Sequence, residues 1–252
     1  MKTVFITGAT SGIGESCAHI FARNGYQVVI NGRNSEKLHA LHRTLTEQYN
    51  ASVHPILFDV RKRAEVEKAL GTLPDAFRSI DILINNAGLV LGVDKEHEGS
   101  LDDWDIVLDT NIKGLLTVTR LIVPEMVKRE KGHIINIGSI AGDAAYPGGS
   151  VYCASKAAVK ALTDGLRIDL VDTPLRVTNI KPGMVETNFS ITRFYGNKTA
   201  ADKVYQGIRP LSGDDVADVV YWTATAPAHM QIAEVLLLPT HQATGTIVHR
   251  NL

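Results

Sequence analysis

The sequence is poor in cysteine, in metal-binding patterns and in long apolar runs. Only two cysteines occur among 252 residues, which excludes a disulfide scaffold and is typical of a reducing compartment. CxxC, HExxH and clustered Cys/His patterns are missing, so no metal site is predicted. The apolar run Leu115–Val127 contains Arg120 and Pro124 and is too short to span a bilayer, so no membrane association is expected.

The chain also has almost no net charge, because 26 Lys and Arg stand against 27 Asp and Glu. Such a balance provides no long-range field to gather nucleic acid, and no nucleic-acid partner is expected. The N-terminus shows no signal-peptide pattern, which together with the scarce cysteines predicts a cytoplasmic protein.

Short apolar segments alternate with longer segments of helical periodicity. The predicted strands are Lys2–Thr7, Gln27–Asn31, Val53–Phe58, Ile82–Asn85, His133–Gly138, Arg176–Lys181 and Val235–Leu238. The predicted helices are Gly14–Asn24, Ser35–Tyr49, Arg63–Leu70, Leu101–Lys128, Val151–Leu170 and Asp214–Ala224. Repeated βαβ units follow from this alternation. We therefore predict one α/β domain over residues 1–252, a single-domain Rossmann-type doubly wound parallel sheet of about seven strands with helices on both faces.

Two of the predicted helices are too apolar for an exposed outer layer. Between Leu115 and Val127 apolar residues cover nearly the whole helix circumference, and the helix Val151–Leu170 carries an alanine and leucine stripe. One face of each helix packs on the sheet, so the other face requires a partner. Self-association is the prediction, and a thick single core is the alternative.

A glycine cluster, Thr7–Gly14, joins the first strand to the first helix with the spacing G-x-x-x-G-x-G. Glycine lets the backbone approach a pyrophosphate, and the helix N-terminus supplies free N–H groups. The second strand then ends in Asn31-Gly32-Arg33, without the acid that would hold the ribose 2′-hydroxyl of NAD. Arg33 can instead bind a 2′-phosphate in a forked geometry, which predicts NADP. The alternative is an ordinary exposed arginine.

Tyr152 and Lys156 lie four residues apart, so one helix face carries both side chains. We expect the ammonium to lower the pKa of the phenol, as an acid/base tyrosine requires near neutral pH. Ser139 follows the fifth strand and Asn85–Gly88 follows the fourth. Both therefore lie at the carboxyl edge of the sheet, where open α/β sheets bind ligands.

Together with Asp59-Val60, Asn111 and Pro182-Gly183 with Thr187, these motifs resemble the short-chain dehydrogenase/reductase family over residues 1 to about 190. The resemblance implies that Tyr152 donates or accepts the proton and that Ser139 binds the substrate oxygen. It also implies that Lys156 lowers the tyrosine pKa and holds the nicotinamide ribose, that Asn111 anchors a water in a proton relay, and that Asn85 braces the sheet. The implied cofactor-binding residues are Gly8, Thr10, Ser11, Gly12, Ile13, Gly14, Arg33, Asp59, Val60, Asn86, Ala87, Gly88, Tyr152, Lys156, Pro182, Gly183, Val185 and Thr187.

The C-terminal third narrows this resemblance. The segment Glu234–Pro239 is similar to the NADP-dependent 3-hydroxy acid dehydrogenases, a subgroup that includes serine and L-allo-threonine dehydrogenases. Further agreements with this subgroup are Asn86–Gly92, Asp102–Trp104 and Arg193-Phe194. The resemblance implies a homotetramer that oxidises a small 3-hydroxy acid or β-hydroxy amino acid. The alternatives are a 3-oxoacyl thioester reductase, a broad-specificity carbonyl reductase or a non-catalytic NADP-binding regulatory protein.

Residues 184–210 are expected to form a substrate lid and residues 239–252 a C-terminal tail. The part Thr244–Leu252 of this tail is expected to pack across a subunit interface. Arg193 is the only fixed positive charge within Met184–Asn197. We predict that its guanidinium holds a substrate carboxylate while Ser139 and Tyr152 contact the 3-hydroxyl. The alternatives are a pairing with a surface acid or with a cofactor phosphate.

Overall fold

One sheet of seven strands runs through the protein, for which a computed structural model describes residues 1–251. The strands are β1 (Thr3–Ile6), β2 (Gln27–Gly32), β3 (Val53–Leu57), β4 (Ile80–Asn85), β5 (His133–Ile137), β6 (Arg176–Pro182) and β7 (Glu234–Leu237). All neighbours pair in parallel, in the order β3-β2-β1-β4-β5-β6-β7. The predicted doubly wound parallel sheet is therefore confirmed.

Ten α-helices occur within residues 1–251. They are α1 (Gly12–Arg23), α2 (Ser35–Tyr49), α3 (Arg63–Gly71), α4 (Asp75–Arg78), α5 (Leu101–Leu108), α6 (Leu115–Lys128), α7 (Ser150–Asp169), α8 (Asn188–Arg193), α9 (Lys198–Val204) and α10 (Gly213–Thr225). Across this described part of the chain, no helix combines the length and the apolar character that a membrane span requires.

The side chains of β1 divide between two hydrophobic cores. Val4 and Ile6 are buried in the core formed with α1, α2 and α10, whereas Phe5 is buried in the core formed with α3 and α6. Successive side chains of a strand point to opposite faces, so a strand covered on both faces is apolar throughout. This burial explains why the strand sequences lack polar alternation.

The predicted helix Leu101–Lys128 is the main difference between prediction and structure. It divides into α5, a π-helical segment at Asp109–Gly114, and α6. Such a widened turn leaves no mark in apolar periodicity, because the chain remains helical through it. The short helices α4, α8 and α9 were also not predicted, since four to seven residues are too few to establish a period.

The apolar helices expose part of their surface in the single chain. Val118, Ile122 and Met126 of α6 are buried against the sheet, while Leu116 is 43% exposed. Ile168 near the end of α7 is 71% exposed. These exposed side chains are consistent with a partner, and self-association stays a prediction.

Candidate active site

A cleft opens at the carboxyl edge of the sheet, beside the point where the chain reverses its direction across the sheet between β1 and β4. Most of the predicted site residues line it. They are Gly8, Thr10, Ser11, Gly12, Ile13, Arg33, Asp59, Val60, Asn86, Ala87, Gly88, Ser139, Tyr152, Lys156, Pro182, Gly183, Val185 and Thr187. Gly14, Asn111 and Arg193 are not among the lining residues.

The loop after β1 requires its glycines for two different reasons. Gly12 has a φ of +56°, in the left-handed region that side chains rarely adopt. At Gly14, a Cβ atom would lie 2.4 Å from the side-chain nitrogen of Asn86 and from the carbonyl oxygen of Gly8. Ser11, the residue before α1, makes no side-chain cap, so the first N–H groups of that helix are open toward the cleft. This arrangement is able to bind a phosphate.

Thr7 and Asn86 fasten this loop to the loop after β4. The amide nitrogen of the Asn86 side chain donates to the carbonyl oxygens of Thr7 and Gly8 at 2.9 and 3.0 Å. The hydroxyl oxygen of Thr7 accepts from the backbone N–H groups of Asn86 and Ala87 at 3.0 and 2.9 Å. The two loops therefore form one wall of the cleft.

Asn85 lies behind the cleft and is buried, as the family resemblance implied. Its side-chain nitrogen donates to Thr119 of α6 at 2.9 Å and to Asn136 of β5 at 2.8 Å. Asn136 in turn donates to Thr163 of α7 at 2.9 Å. This buried polar network ties the central strands to helices of one face, although the side-chain oxygen of Asn85 has no hydrogen-bond partner in it.

Tyr152, Ser139 and Lys156 come together at the bottom of the cleft. Tyr152 lies in the first turn of α7, and Ser139 precedes a single 3-10 turn at Ile140–Gly142, where its hydroxyl accepts from the N–H of Ala141 at 3.0 Å. The ammonium of Lys156 donates to the carbonyl oxygen of Ile137 at 2.8 Å and lies 5.9 Å from the centre of the Tyr152 ring.

The pKa of Tyr152 contradicts the lowered value expected from the sequence. Burial raises the pKa of this phenol well above its ordinary range, the neighbouring Tyr146 raises it further, and hydrogen bonding with Ser139 and the charge of Arg193 lower it only in part. Burial also lowers the pKa of Lys156 to about 8. The ammonium donates to Ile137 rather than to the phenol, and burial of the ring dominates the pKa of Tyr152.

Asn111 lies in the π-helical segment and is buried. Its side-chain oxygen accepts from the N–H of Leu89 at 2.9 Å, while its nitrogen donates to the carbonyl oxygen of Leu89 at 2.9 Å and to Ser155 at 3.0 Å. Both amide hydrogens are thus used within the protein. The side chain joins this segment to the loop after β4 and to α7, and its expected role in a proton relay stays a prediction.

Arg33 and Asp59 flank the opposite end of the cleft. The Arg33 side chain is 57% exposed, and its guanidinium lies 3.9 Å from the Asp59 carboxylate. That carboxylate accepts from Arg61 at 2.5 and 3.0 Å. Burial raises the pKa of Asp59, but the hydrogen bonds and charge of Arg61, with the charge of Arg33, outweigh it and leave the pKa lowered.

Arg193 ends α8 and lies close to Tyr146, a residue that the sequence analysis did not single out. The guanidinium carbon is 5.5 Å from the centre of the Tyr146 ring, and its nitrogens lie 3.4 and 3.5 Å from the carbonyl oxygens of Gly92 and Gly148. Among residues 1–251, no carboxylate lies within salt-bridge distance of Arg193. The alternative that Arg193 pairs with a surface acid of its own chain is therefore wrong for the described residues.

Two further buried side chains support the cleft from the last third of the chain. Gln242 accepts from the N–H of Met184 at 2.8 Å and packs on Gly183, where a Cβ atom would lie 2.3 Å from its side-chain oxygen. Lys181 of β6 donates to Asp143 at 2.8 Å and to Glu234 at 2.7 Å. No sequence signal revealed these contacts, because the partners lie 38 to 58 residues apart.

The lid and the tail contact each other within one chain. The expected lid contains α8 and α9, so it is more helical than predicted. From the tail, Arg250 donates to the carbonyl oxygen of Val204, and the N–H of Asn251 donates to that of Gly207 at 2.9 Å. The expected contact of the tail across a subunit interface stays a prediction, and Leu252 lies outside the described residues.

Comparison with known protein families covers the residues that line the cleft. The short chain dehydrogenase family model matches residues 2–197, which include the cleft loops and α7. The chain belongs to the short-chain dehydrogenase family. Within its described residues, 1–251, no three His, Cys, Asp or Glu side chains come together as a metal site.

Individual members of the short-chain dehydrogenase family are similar over nearly the whole length. The NADP-dependent 3-hydroxy acid dehydrogenase YdfG of Salmonella typhi is 46% identical over 98% of this chain and 99% of that protein. The serine 3-dehydrogenase of Agrobacterium fabrum is 43% identical over 98% of each chain. A serine dehydrogenase in its closed form with NADP+ is 43% identical, superimposes with a TM-score of 0.93, and covers 99% of this chain and 100% of that chain.

Proposed function

We propose that the protein is an NADP-dependent oxidoreductase that acts on a small 3-hydroxy acid or β-hydroxy amino acid. The observation that carries the proposal is the convergence of Tyr152, Ser139 and Lys156 beside a phosphate-binding loop in one cleft. The relatives named 3-hydroxy acid and serine dehydrogenases support the substrate class and the cofactor.

The cleft residues fit NADP. The open N-terminus of α1 and the glycine-lined loop leave room for a pyrophosphate, which a Cβ at Gly12 or Gly14 would obstruct by displacing the loop. At the other end, Arg33 keeps most of its side chain exposed toward the position of an adenosine ribose. Asn86, Ala87, Gly88, Pro182, Gly183, Val185 and Thr187 complete the proposed binding residues.

NADP supplies the hydride acceptor, and the protein supplies the proton transfer. Because burial raises its pKa, the phenol of Tyr152 is protonated near neutral pH. The protonated phenol donates to a carbonyl oxygen during reduction. During oxidation it must first pass its own proton to solvent through the proposed relay, and the resulting phenolate then takes up the hydroxyl proton of the substrate. We propose that the Ser139 hydroxyl binds the same substrate oxygen, that Lys156 holds the nicotinamide ribose, and that Asn111 supports the proton relay.

Arg193 is the proposed anchor for the substrate carboxylate. Its guanidinium makes only long contacts with backbone carbonyl oxygens, at 3.4 and 3.5 Å, and its charge acts on Tyr152. A carboxylate bound there in two parallel hydrogen bonds would leave a hydroxyl on the third carbon free to reach Tyr152. Arg193 belongs to the proposed lid, residues 184–210.

The experiment is a spectrophotometric screen that follows NADP reduction with 3-hydroxy acids, β-hydroxy amino acids and simple alcohols, and NADPH oxidation with ketones and 3-oxoacyl thioesters. We expect turnover of the acids and, for Tyr152→Phe, a loss of about 10²–10⁴-fold in kcat with NADPH affinity retained. Turnover confined to 3-oxoacyl thioesters or to uncharged ketones would support the alternative reductases. NADPH binding without turnover of any substrate would support the regulatory protein.

We further propose a cytoplasmic homotetramer. Both cysteines are buried thiols, and Leu116 and Ile168 leave apolar surface exposed in the single chain. Light scattering at micromolar concentration checks the assembly: we expect the mass of four chains, and a stable monomer contradicts the proposal.

A further inference from the structure

A carboxylate lies beside the arginine that is expected to bind a phosphate. Asp59 follows β3 and lines the cleft beside Arg33, whose guanidinium is 3.9 Å from its carboxylate oxygen. Asp59 is buried, so water screens its charge only weakly. An ionised acid in this place opposes a 2′-phosphate in two ways, because it repels the phosphate and attracts the arginine that should bind it.

Arg61 is bonded to the same carboxylate much more closely. Its Nε atom lies 3.0 Å from both oxygens of Asp59, and its Nη2 atom lies 2.5 Å from Oδ2. The backbone N–H of Arg61 adds a fourth contact at 3.0 Å. The Asp59–Arg61 pair is therefore a forked ion pair, whereas Arg33 stays at the edge of the salt-bridge range.

The other charges around Asp59 are already paired. Glu65, which accepts from the backbone N–H of Asp59 at 3.2 Å, is neutralised by Lys62 at 2.9 Å. The group formed by Arg33, Asp59 and Arg61 therefore carries a net positive charge that only Arg33 presents to the cleft, since Arg61 does not line it.

We propose that Arg61 is a specificity-determining residue that acts through Asp59. By holding the carboxylate, it keeps Asp59 from capturing Arg33 and leaves that guanidinium to the 2′-phosphate of the cofactor. The inference rests on the proposed NADP preference and extends it to a residue that makes no contact with the cofactor. In the absence of Arg61, the freed carboxylate would draw Arg33 from 3.9 Å into a close pair.

Binding of two small probes tests the inference without turnover. Isothermal titration calorimetry gives the dissociation constants of adenosine 2′,5′-bisphosphate and adenosine 5′-monophosphate, and their ratio isolates the contribution of the 2′-phosphate. Contacts to the adenine cancel in this ratio. We expect Arg33→Ala to abolish most of the preference for the bisphosphate and Arg61→Ala to reduce it about five- to tenfold, as the loss of one favourable charge arrangement allows.

The double variant Asp59→Asn/Arg61→Ala distinguishes the mechanism from a direct phosphate contact. Removing the carboxylate should return the ratio to within about twofold of wild type, because nothing then competes for Arg33. Arg63→Ala is the matched control: it also removes one positive charge, but its side chain is 80% exposed and bonds Glu67, so the ratio should not change. Arg61→Lys keeps the positive charge beside Asp59, so comparison with Arg61→Ala separates loss of that charge from a defect in folding.

Two results would overturn the inference and are separable from failure of the proposed function. If Arg33→Ala abolishes the preference and Arg61→Ala leaves it intact, Arg61 has no such role and the NADP assignment stands. A loss in Arg61→Ala that persists in the double variant also contradicts action through Asp59. If Arg33→Ala itself keeps the preference, the 2′-phosphate assignment fails, and the inference fails with it.

Discussion

The ammonium nitrogen of Lys156 lies 5.9 Å from the centre of the Tyr152 ring, and its hydrogen bond goes to the carbonyl oxygen of Ile137 instead. The lysine is thus fixed at the end of β5, where its side chain is buried. Its pKa of about 8 follows from that burial. The charge of this side chain is therefore sensitive to pH close to neutrality.

We predict that NADPH affinity falls as pH rises through about 8, because the neutral amine is a weaker donor than the ammonium. Lys156→Met should bind more weakly at neutral pH and should show no such dependence. NADPH fluorescence titrations above and below this pH measure the effect. Lys160→Met, one helical turn further along α7, is the control. A Lys156→Met profile parallel to that of wild type contradicts the prediction.

Arg193→Ala should separate charged from uncharged substrates. Loss of a charge-assisted contact costs about 1.5–3 kcal/mol, so KM for a 3-hydroxy acid should rise by about tenfold or more. KM for a neutral secondary alcohol should change little. Steady-state kinetics with both substrate types decide the question, and Arg43→Ala, on the exposed side of α2, is the control. Equal losses for both substrates would mean that Arg193 is structural.

We predict that the buried His133 lowers the free energy of unfolding of the protein in acid. Burial lowers its pKa from 6.5 to about 3. Below pH 6.5 the histidine is protonated in the unfolded chain but stays neutral in the folded protein. The free energy of unfolding therefore falls by about 1.4 kcal/mol per pH unit until the pH approaches 3. Above that window this contribution is constant.

The variant His133→Gln tests this prediction. The ring nitrogen of His133 lies 2.8 Å from the hydroxyl of Thr178, which itself donates to the carbonyl oxygen of Ile232, so a glutamine amide can replace the ring as donor. We expect the wild type to lose about 2 kcal/mol of unfolding free energy relative to the variant when the pH falls from 7 to 5, as measured by urea unfolding. A constant difference across this range would show that His133 does not titrate as stated.

Gln242→Met should weaken the connection between the tail and the segment Gly183-Met184, which follows β6. The substitution leaves the partly buried N–H of Met184 without its acceptor, which costs about 1 kcal/mol of unfolding free energy. We also expect weaker NADPH binding, because Gly183 and Met184 lose the side chain that fixes their position. Urea unfolding and NADPH titration measure the two effects. Gln48→Met, on the exposed side of α2, should change neither, and an unchanged Gln242→Met would contradict the proposed coupling.

The sequence alone was enough for the architecture and for the identity of most cleft residues. Apolar strands that alternate with amphipathic helices favour a parallel sheet whose two faces are covered by helices. Once the strands are ordered, residues that follow them, such as Ser139 and Asn86, must meet at the carboxyl edge. Local chemistry also marked Tyr152 and Lys156, since helical spacing brings them to one face.

Only the tertiary structure decided the electrostatics of the site. The spacing of Tyr152 and Lys156 predicted a lowered phenol pKa, but burial raised it, because desolvation depends on everything that packs around the ring. The pKa of Asp59 also depends on tertiary contacts. Arg61, close in sequence, pairs with its carboxylate, and Arg33, which follows β2, lies at the edge of salt-bridge range. Gln242 reaches Met184 across 58 residues, and no local pattern encodes a contact whose partners meet only after the sheet has formed.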